Sequence, residues 1–288
     1  MKKKAFLYVI LAGIFWGTSG IFVNFLAPYG LSSLQVTGIR SIMSAIIMGL
    51  YLLIFDRSAF SIKPKQLLMF LGIGVSIFAT AYFYFGAIRE TTISVAVVLM
   101  YTAPAFVMAY SVAFLGEKLT KLKFLSVVLV IAGCCFVSGI FGNFKFSITG
   151  IIMGIMSGVA YSSYNILTRI AMNKGYKTMT TTFYSFLVTA ILGFIFSDIG
   201  GVAAVVEQAP ASLFLMVGIG ICSCVAPYLF YTTALKYIHA GTASSLCIVE
   251  PMAASVFGVV IFREVMDVSM IAGIVLILLA VFILSKSE

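Results

Sequence analysis

Leu71-Gly-Ile-Gly-Val-Ser-Ile-Phe-Ala-Thr-Ala-Tyr-Phe-Tyr-Phe85 returns 146 residues later as Val217-Gly-Ile-Gly-Ile-Cys-Ser-Cys-Val-Ala-Pro-Tyr-Leu-Phe-Tyr231. Both stretches put a Gly-Ile-Gly at the start of an apolar run and aromatic rings near its end, so they read as one helix written twice. The register extends outward at a spacing of 147, where Ala87 matches Ala234, Arg89 matches Lys236, Pro104 matches Pro251 and Glu117 matches Glu264. Earlier in the chain, Gly13, Gly17 and Asn24 match Gly154, Gly158 and Asn165 at a spacing of 141. The chain is a tandem duplication, with copies at 1–140 and 141–288.

What surrounds the repeat fixes the class. Of 288 residues, 62% are hydrophobic and 9% charged, too apolar for a soluble fold to keep that surface inside. Apolar stretches of about 20 residues, the length that a hydrocarbon core of about 30 Å requires, recur with short polar interruptions. Ten are predicted, at 5–27, 32–55, 65–87, 92–115, 120–140, 148–171, 178–197, 211–235, 240–262 and 267–285. Lipid leaves helices as the default, because a barrel's short alternating strands do not match such runs. The expected fold is an all-α integral membrane protein of ten transmembrane helices. Each copy holds five crossings, an odd number, so the second enters the bilayer upside down and the copies form inverted repeats. That is a transporter architecture, with the substrate expected near the midplane between the halves. The first span is long enough to be retained as a membrane helix and shows no clear small-residue cleavage site.

Charge gives an orientation. With the N-terminus cytoplasmic, fourteen Lys and Arg fall in inward loops and three, Arg89, Lys145 and Arg263, in outward loops. That is a strong positive-inside bias. The net charge of +9 then reflects topology and anionic lipid headgroups, and no nucleic acid is needed as a partner. Both termini are expected in the cytoplasm, in a bacterial inner membrane.

Two ionisable residues lie deep in apolar spans. Arg40 sits about eight residues, or roughly 12 Å, into its span, and Glu250 about ten residues, or roughly 15 Å. A charge near the bilayer centre costs roughly 2.5–3.5 kcal/mol on insertion scales, so such residues face partners or a wet cavity. Glu250 has Ala103 as its repeat counterpart, so the duplicated fold does not itself require a carboxylate there. These two are the leading candidates for substrate binding or coupling. Around them the expected site takes Trp16, too deep for an interfacial anchor, with Tyr82, Tyr101, Tyr161 and Tyr228. Asn165 and Ser244 complete it.

Other features have plainer readings. Gly13-xxx-Gly17 and Gly150-xxx-Gly154-xxx-Gly158 place small residues on one helix face, where another backbone can approach. Pro104, Pro227 and Pro251 lie inside spans and free the carbonyls of Met100, Ser223 and Cys247. The five cysteines and single His239 have no ligand spacing, so no metal or cofactor is expected. Nucleophile elbows, phosphate-binding loops and paired intramembrane carboxylates are absent from the sequence, which argues against an enzyme and against ATP coupling within this chain.

The stretches Tyr101-Thr-Ala-Pro104 through Leu115-Gly-Glu-Lys118, and Val249-Glu-Pro251 through Phe262-Arg-Glu264, resemble the two EamA repeats of the drug/metabolite transporter superfamily. So does Phe15-Trp-Gly-Thr-Ser19. The likeness covers essentially the whole chain. It implies an exporter or exchanger of small metabolites such as amino acids or nucleobases, with both termini cytoplasmic. One departure is Arg263, where the family carries Gly before the second terminal Glu. The expected function is secondary transport, by alternating access, of small polar or zwitterionic molecules, with protons as a candidate coupling ion. Export of organic cations, with Glu250 and aromatic faces as the site and Arg40 only bracing helices, is the alternative. A lipid-modifying membrane enzyme is a more distant one. Oligomeric state is left open.

Overall fold

The computed structural model describes residues 2–90, 96, 99–114, 116, 120–137, 147–247, 249–263 and 268–286. Among them every regular element is helical. The first span divides into α1 (Lys2–Gly17) and α2 (Ser19–Leu26), and α3 (Ser33–Phe55) and α4 (Pro64–Glu90) follow. Then come α5 (Ala103–Phe114), α6 (Lys121–Val137), α7 (Ile148–Asn173) and α8 (Thr178–Phe196). The remainder is α9 (Ile199–Gln208), α10 (Ser212–Gly220), α11 (Ala226–Ala234), α12 (Ala240–Leu246), α13 (Val249–Phe262) and α14 (Val268–Lys286).

Among the described residues, seven helical stretches, some made of successive helices, are long and apolar enough to cross a membrane: Lys3–Tyr29, Leu34–Phe55, Pro64–Ala87, Ile148–Asn173, Thr178–Phe196, Ser212–Ala234 and Ala240–Phe262. They coincide with seven of the ten predicted spans. Helices α5, α6 and α14 fall on the other three; part of the predicted 92–115 span, the ends at Glu117 and Glu264, and Lys145 lie outside the described residues. Large apolar side chains such as Ile54, Phe55, Leu68, Phe214 and Phe282 are exposed, as lipid-facing positions are when every backbone group is satisfied within its helix. The chain is an integral membrane protein.

One helix lies outside the predicted spans. Helix α9 starts where the Asp198 carboxylate accepts from the Gly201 amide at 3.0 Å, a side-chain cap. Its Val202, Val205 and Val206 pack on Leu26, Val36, Ile39, Met216 and Ile219. Ten residues are too few to cross a bilayer, so the span pattern gave no sign of it.

The Gly-Ile-Gly repeats have a packing cause. A methyl group on Gly74 would stand 2.6 Å from both the Ser185 carbonyl and Val188 Cβ on α8, and one on Gly220 would stand 2.8 Å from Met43 Cβ on α3. Membrane helices associate through such close packing rather than through expulsion of water. Gly74→Ala is therefore expected to destabilise the protein by roughly 1–3 kcal/mol, because the blocking atoms include backbone and a branched side chain that cannot swing away. Thermal unfolding in detergent checks this, and an unchanged midpoint would sink it.

Helices α3 and α8 are tied at both ends. At one end Ser197 Oγ donates to the Leu34 carbonyl at 3.0 Å and Gln35 Nε2 to the Asp198 carbonyl at 3.2 Å. At the other, Thr180 Oγ1 donates to the Ala59 carbonyl at 3.0 Å and the Tyr184 hydroxyl to the Phe60 carbonyl at 2.9 Å.

Candidate functional site

Helix interruptions position the site. Helix α12 stops at Leu246 and α13 restarts at Val249, so Glu250 and Pro251 occupy the first turn of a new helix rather than the middle of an old one. A turn at Tyr101–Thr102 likewise precedes α5, whose second residue is Pro104. Proline in the first turn lacks only an N–H that no helical carbonyl needs, so both prolines start helices, although the sequence reading placed them inside spans. Cys247, whose carbonyl that reading freed, accepts from the Glu250 amide at 2.9 Å. Pro227 opens α11 directly after a π-turn at Ile221–Val225, a widened geometry that recurs at functional sites.

The small-residue faces meet these interruptions. A methyl on Gly17 would stand 3.0 Å from the Glu250 carbonyl and 2.9 Å from Ala253 Cβ, and one on Gly13 would stand 3.2 Å from the Glu250 amide. A methyl on Gly158 would stand 2.8 Å from Thr102 Oγ1 and 3.1 Å from the Leu99 carbonyl, and one on Gly154 would crowd Leu99. Each glycine pair therefore presses on the start of one interrupted helix.

Arg40 on α3 reaches the π-turn and α11. Its guanidinium lies within hydrogen-bonding reach of Cys224 and of the Tyr228 hydroxyl. Glu250 faces the Tyr101 hydroxyl and has Tyr84 nearby. The two charges feel each other's field, yet no contact among the described residues joins them as a direct ion pair. Both side chains remain partly accessible. Opposite charges held apart and partly exposed can each take one end of a ligand.

Aromatic rings line this region. Trp16 meets Tyr228 edge-on at 5.2 Å between ring centres and Tyr231 at 5.5 Å. Tyr164 contacts Tyr228 at 5.3 Å and lies stacked with Tyr161 at 6.1 Å. Trp16, Tyr101, Tyr161 and Tyr228 are all buried. Asn165 is fully buried, its Nδ2 donating to the Tyr161 carbonyl at 2.6 Å and its Oδ1 accepting from the Tyr231 hydroxyl, so it orients Tyr231 by tying α7 to α11. Ser244 is also fully buried, and its Oγ has no hydrogen-bond partner.

The structure brings Arg40, Glu250, Trp16, Tyr101, Tyr161, Tyr228 and Asn165 into one neighbourhood. Tyr82 stands elsewhere: it is 48% exposed with its ring against Phe83. Its neighbour two places on, Tyr84, is the one near Glu250. Cys224, Cys247, Tyr84, Tyr164 and Tyr231 belong to the neighbourhood without having been singled out from sequence. For Tyr231 a signal existed, since the repeat aligns it with Phe85 and marks its hydroxyl as an addition. A second group of hydroxyls, on Tyr164, Thr168, Thr181 and Thr182, is buried, and those of Thr181 and Thr182 have no partner among the described residues; an unpaired buried polar group costs about 1–3 kcal/mol. No cluster of His, Cys, Asp or Glu suited to a metal occurs among the described residues.

Comparison with known proteins bears on the whole chain. The model of the EamA-like transporter family matches residues 3–139 and again residues 148–286. The uncharacterized transporter YwfM of Bacillus subtilis (strain 168) is 27% identical over 98% of this chain and 93% of its own length. An uncharacterized transporter of Archaeoglobus fulgidus is 28% identical over 96% and 94%. The pseudopaline exporter CntI of Pseudomonas aeruginosa (strain UCBPP-PA14) is 24% identical over 100% and 98%. One crystal structure superposes with a TM-score of 0.82 at 16% identity, covering 100% of this chain and 98% of the other, a likeness of fold.

Proposed function

We propose a transport function from one premise: the chain belongs to the EamA-like transporter family. It is a secondary transporter that exports or exchanges small zwitterionic or polar metabolites, such as amino acids or nucleobases, and it catalyses no reaction. The observation that carries the substrate class is the separation of Arg40 from Glu250 beside the Trp16, Tyr101 and Tyr228 rings. A guanidinium takes a carboxylate through a planar fork of donors, a carboxylate takes an ammonium, and aromatic faces cover the apolar remainder. Ser244 supplies a further hydroxyl in the span that carries Glu250. A relative named as an exporter supports outward movement.

The layout we adopt is ten crossings as two inverted five-helix copies, 1–140 and 141–288. Support comes from the repeat spacing, the two successive family matches and the reciprocal packing of Gly13 and Gly17 on α13 and of Gly154 and Gly158 on the start of α5. Alternating access follows as rocking between the copies about a site held at their interface.

Solute counterflow in proteoliposomes tests the function, with radiolabelled amino acids, nucleobases and quaternary amines as the panel. Exchange of zwitterions above the protein-free background is expected. Exchange of quaternary amines alone would transfer the assignment to organic cations, and product formation without exchange would make the protein an enzyme. The fourteen-to-three charge asymmetry predicts cytoplasmic termini and a cytoplasmic loop near Lys63. A cysteine introduced at Ser61 in a cysteine-free background is expected to react with an impermeant thiol reagent only after sealed cells are opened. Reaction in sealed cells would reverse the orientation.

A further inference from the structure

A small cavity lies between α4, α7, α8 and α11, walled on one side by Ile73, Ile77 and Phe186. Its other walls include the hydroxyl-bearing side chains of Tyr164, Thr168, Thr181, Thr182, Tyr228 and Thr232. The first four of these side chains are 2%, 0%, 1% and 3% exposed. The Tyr164 hydroxyl lies within hydrogen-bonding reach of Thr168 and Thr232, whereas the hydroxyls of Thr181 and Thr182 complete no hydrogen bond among the described residues. A static core position of this shape would be filled equally well by valine or phenylalanine, with no unpaired oxygen.

We propose that this cavity is the collapsed neck of a water-filled passage joining the Arg40–Glu250 site to the cytoplasmic face, in which water and the polar part of the substrate satisfy these hydroxyls when the passage opens. The inference rests on the transport function and orientation given above. Position supports it at both ends. Tyr228 is shared: it lines the cavity and also meets Arg40. At the other end the cavity approaches the point where α7 ends at Asn173 and α8 begins at Thr178, a linker carrying Lys174 and Lys177 on the inward side.

Chemistry selects water over an ion. The lining carries no charged side chain, and the cavity has room for about one water molecule, which needs two to four polar partners. Opening the neck hydrates the Thr181 and Thr182 hydroxyls that the closed form leaves unpaired, which favours opening.

Thr181→Val and Thr182→Val separate this role from a packing role, because valine keeps the shape and removes the unpaired oxygen. Each is expected to raise the unfolding midpoint by about 2–4 °C and to slow counterflow about tenfold, with substrate Kd within twofold of the parent. Thr181→Ser, which keeps a hydroxyl, is expected to transport at close to the parent rate. Thr189→Val is the control on the same helix: its hydroxyl donates to the Ser185 and Gly74 carbonyls at 2.8 and 3.2 Å, and its loss is expected to lower the midpoint. A lowered midpoint in both Thr181→Val and Thr182→Val overturns the neck by showing that their hydroxyls are paired. A parent that transports while both valine variants match its turnover also overturns the neck, leaving the transport function standing. A parent that moves no solute overturns the transport function and the neck together.

Discussion

Glu250→Gln is expected to slow zwitterion counterflow by on the order of 10–100-fold while leaving the unfolding midpoint close to the parent's. The amide keeps the size and shape of the side chain and can still accept from Tyr101, so packing at the start of α13 persists. What disappears is the negative charge, and with it a charge-assisted hydrogen bond to a substrate ammonium worth about 1.5–3 kcal/mol. At about 1.4 kcal/mol per factor of ten, that difference sets the expected range. If Glu250 also exchanges a proton for substrate, the variant loses the pH dependence of transport as well. Parental rate, substrate preference and pH profile in Glu250→Gln would falsify the assignment of Glu250 to recognition or coupling.

Arg40 gives the second large effect. Arg40→Lys is expected to weaken zwitterion binding about tenfold or more, because an ammonium is a point charge on a flexible stem and cannot offer the planar fork that holds a carboxylate at two oxygens. The guanidinium also reaches Cys224 and Tyr228, two contacts that lysine cannot make together in the same geometry. Arg40→Gln removes the charge altogether and is expected to abolish zwitterion exchange while sparing any exchange of quaternary amines. The ratio of the two activities is therefore the informative measurement. Equal kinetics for the parent and Arg40→Lys would reduce Arg40 to a brace between α3 and α11.

The membrane-crossing helices were legible because lipid imposes one requirement, length in apolar residues, that appears directly in the chain. Helix α9 was not, since it lies on the protein and is specified by a cap at Asp198 and a few valines. The deep charges were legible for the same reason of cost. Their placement in one neighbourhood was not, because it depends on packing between segments 210 positions apart, Arg40 to Glu250. Tyr82 was expected at the site as an aromatic within a span, yet Tyr84 is the one near Glu250; two residues along a helix turn the side chain by about 200°, and a place in an apolar span carries no information on which face meets the site. Prolines marked the interrupted helices without saying how, since a proline that starts a helix and one that bends it look alike in sequence.

The double fastening of α3 to α8 bears on how such a machine travels. Four of the anchors end on backbone carbonyls, at Leu34, Ala59, Phe60 and Asp198, which cannot change rotamer to follow a sliding partner. Lengthwise slip between these helices would break both ends at once, whereas a small tilt breaks neither. Under the rocking proposed above the pair would serve as a fulcrum of fixed length, and since one member comes from each proposed half of the chain, the stroke of the other helices would be an angle and not a displacement.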